Sequence, residues 1–232
     1  MSKNDKIRFA IVGMGAIADF HAKSILGLER ARLVAVCSRS EEKARAAAKK
    51  YGADWTTDLE KMLRRDDIDV VNICTASGMH LEPALAAARA GKHVIVEKPL
   101  DVTMERVDEM ITACENTGVK LACIFQNRFN PDFIKLKKAV DDGKLGKPVA
   151  GSAYIKWFRP QSYYDANDWR GTLRGDGGAA LINQSIHTID LLQCVMGPVR
   201  SVFGKTAVRT HDIEGEDLGL AILQFASGAL GL

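Results

Sequence analysis

A glycine-containing turn near the amino terminus has the spacing to bind phosphate groups. Gly13-Met14-Gly15-Ala16-Ile17-Ala18 follows an apolar run and opens a segment of helical character. Gly13 permits a tight turn, Gly15 lets the backbone approach a pyrophosphate, and Ala18 allows close helix–strand packing. The helix start at Ala16 and Ile17 presents N–H groups and a positive dipole end. The pattern predicts a dinucleotide site at Gly13, Gly15, Ala16 and Ile17; glycines required only by the turn are the alternative.

The second apolar run ends in Cys37-Ser38-Arg39-Ser40, where a dinucleotide site contacts the adenine ribose. An NAD site usually has Asp or Glu there to accept from the 2′-hydroxyl. This segment has no carboxylate to repel a 2′-phosphate, and Arg39 is able to pair with one. The residues therefore favour NADP over NAD, with Ser38 and Arg39 as cofactor ligands. The alternative is a solvated Arg39 and an NAD ribose bonded by Ser38.

Two further motifs carry a family resemblance. Glu97-Lys98-Pro99 directly follows the run at 93–96, and residues 177–190 read GGAALINQSIHTID. With the glycine turn, these motifs resemble the Gfo/Idh/MocA family of oxidoreductases, from about residue 6 to residue 232. The resemblance implies hydride transfer between a nicotinamide cofactor and a secondary hydroxyl or ketone. The implied substrate is a sugar, a polyol or a sugar derivative, including a sugar nucleotide.

The resemblance also implies the catalytic residues. Lys98 matches the lysine that handles the hydroxyl proton, and His187 matches the histidine that contacts the reacting hydroxyl. Asn183 stands one helical turn before His187, so both side chains are predicted to share a face. Many members of the family have Asp at this position. Because Asn cannot take a proton, Lys98 and His187 are the acid–base candidates.

Further cofactor and substrate contacts follow from the same resemblance. The additional cofactor residues are Thr75, His80, Glu97, Lys98, Asn127, Trp169 and Arg170. The substrate residues are Lys98, Arg170, Asn183, His187 and Tyr164, with Tyr163 and Arg174 as weaker candidates. For His80 and Asn127 a helix-capping role is an equal alternative. His21, His93 and His211 are expected to be structural or exposed, and the spacing of histidines and carboxylates predicts no metal site.

A second class of function stays open at this point. Some relatives in the family bind the dinucleotide without turnover and act as sugar-responsive regulators. The presence of Lys98 and His187 favours an enzyme over such a regulator. Arg159, Arg170 and Arg174 fit an anionic sugar or a sugar nucleotide, although arginines in a polar loop are often solvated.

The elements that must position these residues alternate in the first half of the chain. Apolar runs predict strands at 7–12, 33–37, 70–74, 93–96 and 119–125, and helices at 16–28, 41–51, 59–65, 81–90 and 103–116. Alternation of this kind predicts an α/β fold, a doubly wound Rossmann domain over residues 1–127. Residues 128–232 predict an α+β domain for substrate binding and oligomerisation. Its helices lie at 132–141 and 180–196, and its antiparallel sheet uses runs at 147–157, 199–210 and 218–225, with a turn at Gly228.

Composition excludes several classes of function. The net charge is +3 with 26% charged residues and no basic run, which does not indicate a nucleic-acid partner. No apolar stretch approaches the roughly 20 residues of a membrane helix, and the first six residues contain no signal-peptide core. Five cysteines without a Cys-x-x-Cys spacing predict reduced thiols in a cytoplasmic protein. The chain ends at Leu232 in an apparent strand, so the sheet is expected to be truncated relative to the family. In that family the exposed sheet face commonly forms an interface, so a dimer or tetramer is expected.

Overall fold

The computed structural model describes residues 6–232, which form two compact units, residues 6–124 and residues 125–232. Residues 1–5, on which the prediction of an absent signal peptide depends, lie outside the described part. Within residues 6–232 no helix is both long and apolar enough to cross a membrane.

The first unit is built on a parallel sheet, as predicted, and this sheet has six strands, one more than the sequence indicated. Its strands are β1 (Ile7–Val12), β2 (Ala31–Cys37), β3 (Asp54–Thr56), β4 (Val70–Ile73), β5 (His93–Val96) and β6 (Leu121–Cys123). They lie in the order β3-β2-β1-β4-β5-β6, which is the doubly wound arrangement. Strands β1 to β3 extend the sheet to one side and β4 to β6 extend it to the other, so the strand order reverses between β1 and β4. Ligands of such sheets bind outside the carboxyl ends of the strands at this reversal.

Five helices cover the two faces of this sheet. They are α1 (Ala16–Leu26), α2 (Glu41–Tyr51), α3 (Leu59–Leu63), α4 (Leu81–Arg89) and α5 (Met104–Thr117). The predicted ends of α2 are confirmed: the Ser40 hydroxyl accepts from the Lys43 amide, and Gly52 ends the helix with φ +68°. Several other ends differ from the prediction by one or two residues. The short edge strand β3 was missed because three residues are too few to show a periodic pattern.

The core of the first unit lies on both sides of the sheet. Along β1, Ala10 and Val12 pack into one apolar cluster, while Ile11 packs into the other. All three side chains are less than a tenth exposed. A strand buried on both faces needs a continuous apolar run, which explains why 7–12 reads without alternation.

The second unit combines helices with a four-stranded sheet. Its elements are α6 (Pro131–Asp141), β7 (Ala150–Gly151), α7 (Gln161–Asp165), a π-helical turn (Ala180–Ser185), α8 (Ile186–Met196), β8 (Val199–Ala207), β9 (Leu218–Phe225) and β10 (Leu230–Gly231). The strand order is β7-β10-β9-β8. The hairpin of β8 and β9 and the turn at Gly228, with φ +87°, confirm the predicted elements.

Two predictions for the second unit were wrong in detail. The run at 147–157 forms a strand only at Ala150–Gly151, and it pairs parallel to β10, so the sheet is mixed and not purely antiparallel. Alternation describes side chains, whereas a strand needs a backbone partner. Leu232 supplies such a partner to two residues of the run: its carbonyl accepts from the Ala153 amide, and its amide donates to the Gly151 carbonyl.

The predicted helix 180–196 also divides into two geometries. The amides of Asn183 and Gln184 both donate to the Ala179 carbonyl, at 3.3 and 3.2 Å. This widened turn gives way to regular α-helix at Ile186. The α-helical spacing used to place Asn183 and His187 on one face therefore does not apply across the junction, and π-helical turns of this kind often lie at functional sites.

Candidate functional site

The glycine turn leaves no room for a side chain at its first position. Gly13 has φ +91°, and a Cβ placed there would lie 2.7 Å from the carbonyl carbon and oxygen of Cys74. The Gly13 amide donates to the Cys37 carbonyl at 2.9 Å, which ties the turn to the end of β2. Gly15 then occupies the N-cap of α1 without a side-chain cap. This start of α1 at the reversal between β1 and β4 can bind a pyrophosphate.

Ser38 and Arg39 follow β2 at the same edge of the sheet. The Ser38 hydroxyl accepts from the Ser40 amide at 3.2 Å, which fixes its orientation. Arg39 is exposed, with one guanidinium nitrogen 3.9 Å from the sulfur of Met79. Thr75 closes the Met79 loop by donating to the Met79 carbonyl at 2.9 Å. Arg39 and the loop after β4 are therefore neighbours beside the glycine turn.

His80 is buried and contacts backbone only. Its Nδ1 lies 2.9 Å from the Pro99 carbonyl, and its Nε2 lies 3.2 Å from the Thr75 carbonyl. Burial lowers the pKa of His80, although the carbonyl partners oppose this shift. The ring is therefore neutral and donates only once, through its shorter contact. Of the two roles considered for His80, these contacts support the structural one, because the ring joins the loops after β4 and β5.

Glu97 turns its carboxylate inward and does not face solvent. It is 8% exposed, and its Oε1 lies 2.8 Å from Nε2 of His21. Its Oε2 accepts from the backbone amide of Lys98 at 3.2 Å. Glu97 was predicted to contact the cofactor directly. This placement favours a structural role instead, because both carboxylate oxygens already have partners in His21 and the Lys98 amide. His21 was expected to be structural or exposed, and the structure makes it the buried partner of Glu97.

The buried cysteines behave as small apolar side chains. Cys37, Cys74 and Cys114 are all buried. Burial raises the pKa of Cys37 to about 11. Burial also raises the pKa of Cys74 well above its ordinary value, and the carboxylate of Glu97 adds to the shift. A thiol with so high a pKa is a poor nucleophile. Neither thiol is a candidate for catalysis.

In the second unit, a buried carboxylate orients Asn183. Asp176 is 1% exposed, and it accepts from the Asn183 side-chain amide and, at 3.1 Å, from the Gly171 backbone. The bond directs the nitrogen of the amide toward Asp176 and its oxygen to the opposite side. Asp176 thereby fixes the orientation of the Asn183 side-chain amide. Sequence reasoning missed Asp176, although it immediately precedes the glycine pair at 177–178.

His187 contacts Phe125, the first residue of this unit, and Asn127 follows Phe125 by two residues. The His187 ring meets the Phe125 ring edge-on, with centroids 6.1 Å apart. Asn127 is exposed in a 3₁₀ turn over Gln126–Phe129, where its carbonyl accepts from Asn130. The Phe125 ring therefore orients the imidazole of His187 from one side.

Two guanidinium groups stack on aromatic rings in an alternating ladder. Arg159 lies 4.3 Å from the Trp157 ring and 4.8 Å from the Tyr163 ring. Arg170 lies 4.1 Å from the Tyr163 ring and 5.5 Å from the Trp169 ring. Stacking holds both cations in place at little conformational cost. Two fixed positive charges of this kind suit an anionic ligand.

The two tyrosines of α7 have different surroundings. Tyr164 was predicted to bind substrate, but it is 6% exposed and packs its ring 5.0 Å from His211. Burial raises the pKa of its hydroxyl. Tyr163, the weaker candidate, is the residue between the two arginines, and its hydroxyl accepts from Gln184 at 3.1 Å. The reason is that α7, which carries both tyrosines, places adjacent side chains on different sides.

The comparisons with known proteins agree with this geometry. Residues 7–125 match the Gfo/Idh/MocA oxidoreductase family with an NAD-binding Rossmann fold, and residues 133–232 match its C-terminal domain. The chain is 32% identical to myo-inositol 2-dehydrogenase of Thermotoga maritima and 39% identical to inositol 2-dehydrogenase of Rhizobium meliloti, over 97% and 96% of its length. These alignments cover 67% and 66% of the two relatives, so the chain spans about two thirds of their length.

A solved structure is similar over nearly the whole chain. The WlbA dehydrogenase of Bordetella pertussis, determined with NADH and UDP-GlcNAcA, superposes with a TM-score of 0.93 at 39% identity. The superposition covers 98% of this chain and 66% of that one. The resemblance and the fold class inferred from the motifs are therefore confirmed.

Proposed function

We propose, because the chain belongs to the Gfo/Idh/MocA oxidoreductase family, that it transfers a hydride between a nicotinamide dinucleotide and a secondary hydroxyl or ketone of a sugar. One observation carries this proposal. Lys98 follows β5 at the same carboxyl edge of the sheet where the glycine turn follows β1. A proton-handling lysine and a phosphate-binding turn on one edge are what an alcohol dehydrogenation needs.

Each residue has a role that follows from its chemistry. The nicotinamide, when bound, supplies the two-electron hydride chemistry. The Lys98 amine takes the hydroxyl proton while the carbinol hydrogen leaves with its electron pair. His187 binds the reacting oxygen, and Asn183, whose side-chain amide Asp176 orients, contacts a substrate hydroxyl. Gly13 and Gly15 bind the pyrophosphate at the start of α1.

The substrate class we propose is a sugar nucleotide with a negative charge. Arg159 and Arg170 supply two stacked cations, and the Nε of Arg170 is buried without a hydrogen-bond partner among residues 6–232. An unused buried donor is costly, and an anionic oxygen would satisfy it. The WlbA relative was determined with a sugar nucleotide that agrees with this assignment. A neutral sugar or polyol is the alternative, because the named relatives include inositol dehydrogenases.

A silent regulator is the less favoured function. Lys98 and His187 are both present, and the relatives named above are dehydrogenases. A regulator that binds the dinucleotide without turnover has no use for a lysine whose backbone is held by a buried carboxylate. These residues and relatives therefore favour an enzyme over a regulator.

The choice between dinucleotides stays a prediction. The exposed guanidinium of Arg39, with no carboxylate nearby at 37–40, favours NADP(H). The WlbA relative was determined with NADH, and an NAD(H) site needs only Ser38 at the ribose. Binding constants for NADH and NADPH, measured side by side, decide between them.

The quaternary structure and location are also proposals. Large apolar side chains on one face of the β8–β9 hairpin are exposed, including Phe203 (77%), Leu220 (65%) and Ile222 (55%). Exposed apolar surface of this kind favours association, which supports a homo-oligomer. Light scattering that finds a monomer at micromolar concentration contradicts it.

A cytoplasmic location fits the buried, unreactive thiols, and cell fractionation tests it.

The decisive assay is turnover by the purified 232-residue chain with a panel of UDP-sugars, inositols and neutral sugars. We expect NAD(P)H absorbance to rise with an anionic UDP-sugar, and we expect Lys98→Met to abolish the rise although the variant still binds the dinucleotide. Lys120→Met is the matched control, since Lys120 is exposed at the amino end of β6, on the opposite edge of the sheet. Tight dinucleotide binding with no turnover across the panel would contradict the proposal.

A further inference from the structure

A chain of three buried polar side chains ends at the backbone of Lys98. Asn72 in β4, His21 in α1 and Glu97 after β5 are each less than a tenth exposed. The Asn72 amide nitrogen lies 2.8 Å from Nδ1 of His21, and Nε2 of His21 lies 2.8 Å from Oε1 of Glu97. The other oxygen of Glu97 accepts from the Lys98 amide at 3.2 Å. The chain therefore runs from the core of the sheet to the proton-handling residue.

The chemistry of the chain fixes the protonation of His21. A carboxylate only accepts hydrogen bonds, so Nε2 of His21 must carry the proton that faces Glu97. Nδ1 then accepts from the Asn72 amide nitrogen. The side-chain oxygen of Asn72 has no hydrogen-bond partner among residues 6–232. Leaving a buried oxygen without a partner is costly.

The location of His21 explains what the chain can do. His21 lies on α1, whose first turn follows the pyrophosphate-binding glycines. Its bond to Glu97 joins that helix to the loop carrying Lys98, across the reversal between β1 and the β4–β5 pair. Without a donor from His21, one oxygen of the buried Glu97 carboxylate would have no hydrogen bond. The carboxylate would then lose the contact that holds its other oxygen against the Lys98 amide.

We propose that His21 is a positioning residue, which acts through Glu97 to fix the backbone of Lys98 relative to the dinucleotide turn. This inference rests on the proposed function for its catalytic consequence, but not for its structural part. A misplacement of about 1 Å at a reacting group lowers the rate by up to about 100-fold. Loss of the His21 donor should therefore slow turnover while leaving dinucleotide binding nearly intact.

Two substitutions at His21 separate positioning from a general effect on folding. The amide nitrogen of Gln overlaps the position of Nε2, so His21→Gln keeps a donor toward Glu97. The shorter His21→Asn places its amide near Nδ1 and loses that donor. We expect His21→Asn to lower kcat about 10- to 100-fold, with less than about threefold change in the dinucleotide Kd, and His21→Gln to recover most of the rate. A merely structural histidine would give similar losses for both variants.

Amide exchange and nitrogen NMR test the same inference without any turnover. We expect the His21 ¹⁵N shifts of the 232-residue chain to report a protonated Nε2 and an accepting Nδ1. Hydrogen exchange at the Lys98 amide should be about 10-fold or more faster in His21→Asn, because a bond to a charged acceptor is lost, and close to wild type in His21→Gln. Equal exchange in wild type and His21→Asn would overturn the proposal. If the wild-type chain turned over no substrate, the proposed function would fail, and the exchange result would still decide the role of His21.

Discussion

Substitution of Gly13 by Ala tests the reading of the glycine turn most sharply, because the same substitution at Gly52 provides a matched control. Both glycines have positive φ, +91° at Gly13 and +68° at Gly52. A Cβ at Gly13 would lie 2.7 Å from backbone atoms of Cys74, whereas a Cβ at Gly52 would have no atom within 4 Å. Both variants therefore place a side chain at positive φ, but only Gly13→Ala also brings its Cβ into contact with neighbouring backbone atoms.

The magnitudes follow from these two contributions. A non-glycine residue in the left-handed region costs about 1–2 kcal/mol, and the restricted unfolded chain of Ala offsets about 0.4–1 kcal/mol of that. At Gly13 the new Cβ and the backbone of Cys74 must also separate by roughly 0.8 Å to reach ordinary contact. Overpacking of this kind costs about 1–3 kcal/mol, so Gly13→Ala should be about 1–3 kcal/mol less stable than Gly52→Ala.

Thermal unfolding and dinucleotide titration measure both consequences. The Tm of Gly13→Ala should fall roughly 3–10 °C below that of Gly52→Ala. Calorimetric titration should show NAD(H) affinity reduced at least about 10-fold in Gly13→Ala, since the displaced turn no longer presents its amides, and unchanged in Gly52→Ala. Equal Tm values and equal affinities for the two variants would refute the assignment of the turn.

Three further predictions concern other parts of the two units. Asp176→Asn should lower kcat and destabilise the fold by about 1–3 kcal/mol, because an amide cannot accept from both Gly171 and Asn183; an unchanged kcat would contradict the positioning role. Ser38→Asp should weaken NADPH binding about 10-fold or more relative to NADH, since a carboxylate repels a 2′-phosphate; parallel titrations measure the ratio, and an unchanged ratio would mean that residue 38 lies away from the ribose. Burial opposes ionisation of Asp217, but bonds from Thr210 and His211 outweigh it and hold the pKa of Asp217 well below its ordinary value. Its stabilisation is therefore complete above about pH 4 and is lost as the pH falls toward the lowered pKa. Unfolding at pH 7 and pH 3 should show a shallower acid loss for Asp217→Asn than for wild type, and identical slopes would contradict this.

The predictions that held are those carried by contiguous residues. A buried strand, a glycine turn and a helix start stand side by side in residues 7–18, so their meaning is local. The N-cap at Ser40 and the helix end at Gly52 are likewise local. Position after a parallel strand also suffices to place Lys98 at the functional edge of the sheet.

The site residues that were missed depend on contacts distant in sequence. His21 is 76 residues from Glu97 and 51 from Asn72, and no motif in the chain relates these positions. A single histidine within an apolar helix is most often structural, so its pairing with the Glu97 carboxylate emerges only from the folded structure, where His21 contacts both Asn72 in β4 and Glu97 after β5. The different surroundings of Tyr163 and Tyr164 have a similar cause. A helix as short as α7 has too few residues for the sequence pattern to show which side chain points inward.

The second unit shows the same boundary between local and distant information. The β8–β9 hairpin was predicted because alternation over eight or nine residues is a strong signal. The mixed sheet was not, because the direction in which β7 pairs is set by β10, about 80 residues later. The π-helical turn before α8 was not predicted either, because its hydrogen-bond pattern leaves no separate signal in the sequence.

Transfer of a deuterium label is the most direct test of the central claim. An anionic UDP-sugar deuterated at each secondary carbinol carbon in turn is incubated with oxidised dinucleotide and the 232-residue chain. The account predicts that one labelled position gives singly deuterated NAD(P)H by mass spectrometry, with a ketone product, and that Lys98→Met abolishes the transfer. If no labelled position delivered deuterium to the dinucleotide, or if Lys98→Met transferred it at the wild-type rate, the proposed hydride transfer and the role of Lys98 would be contradicted.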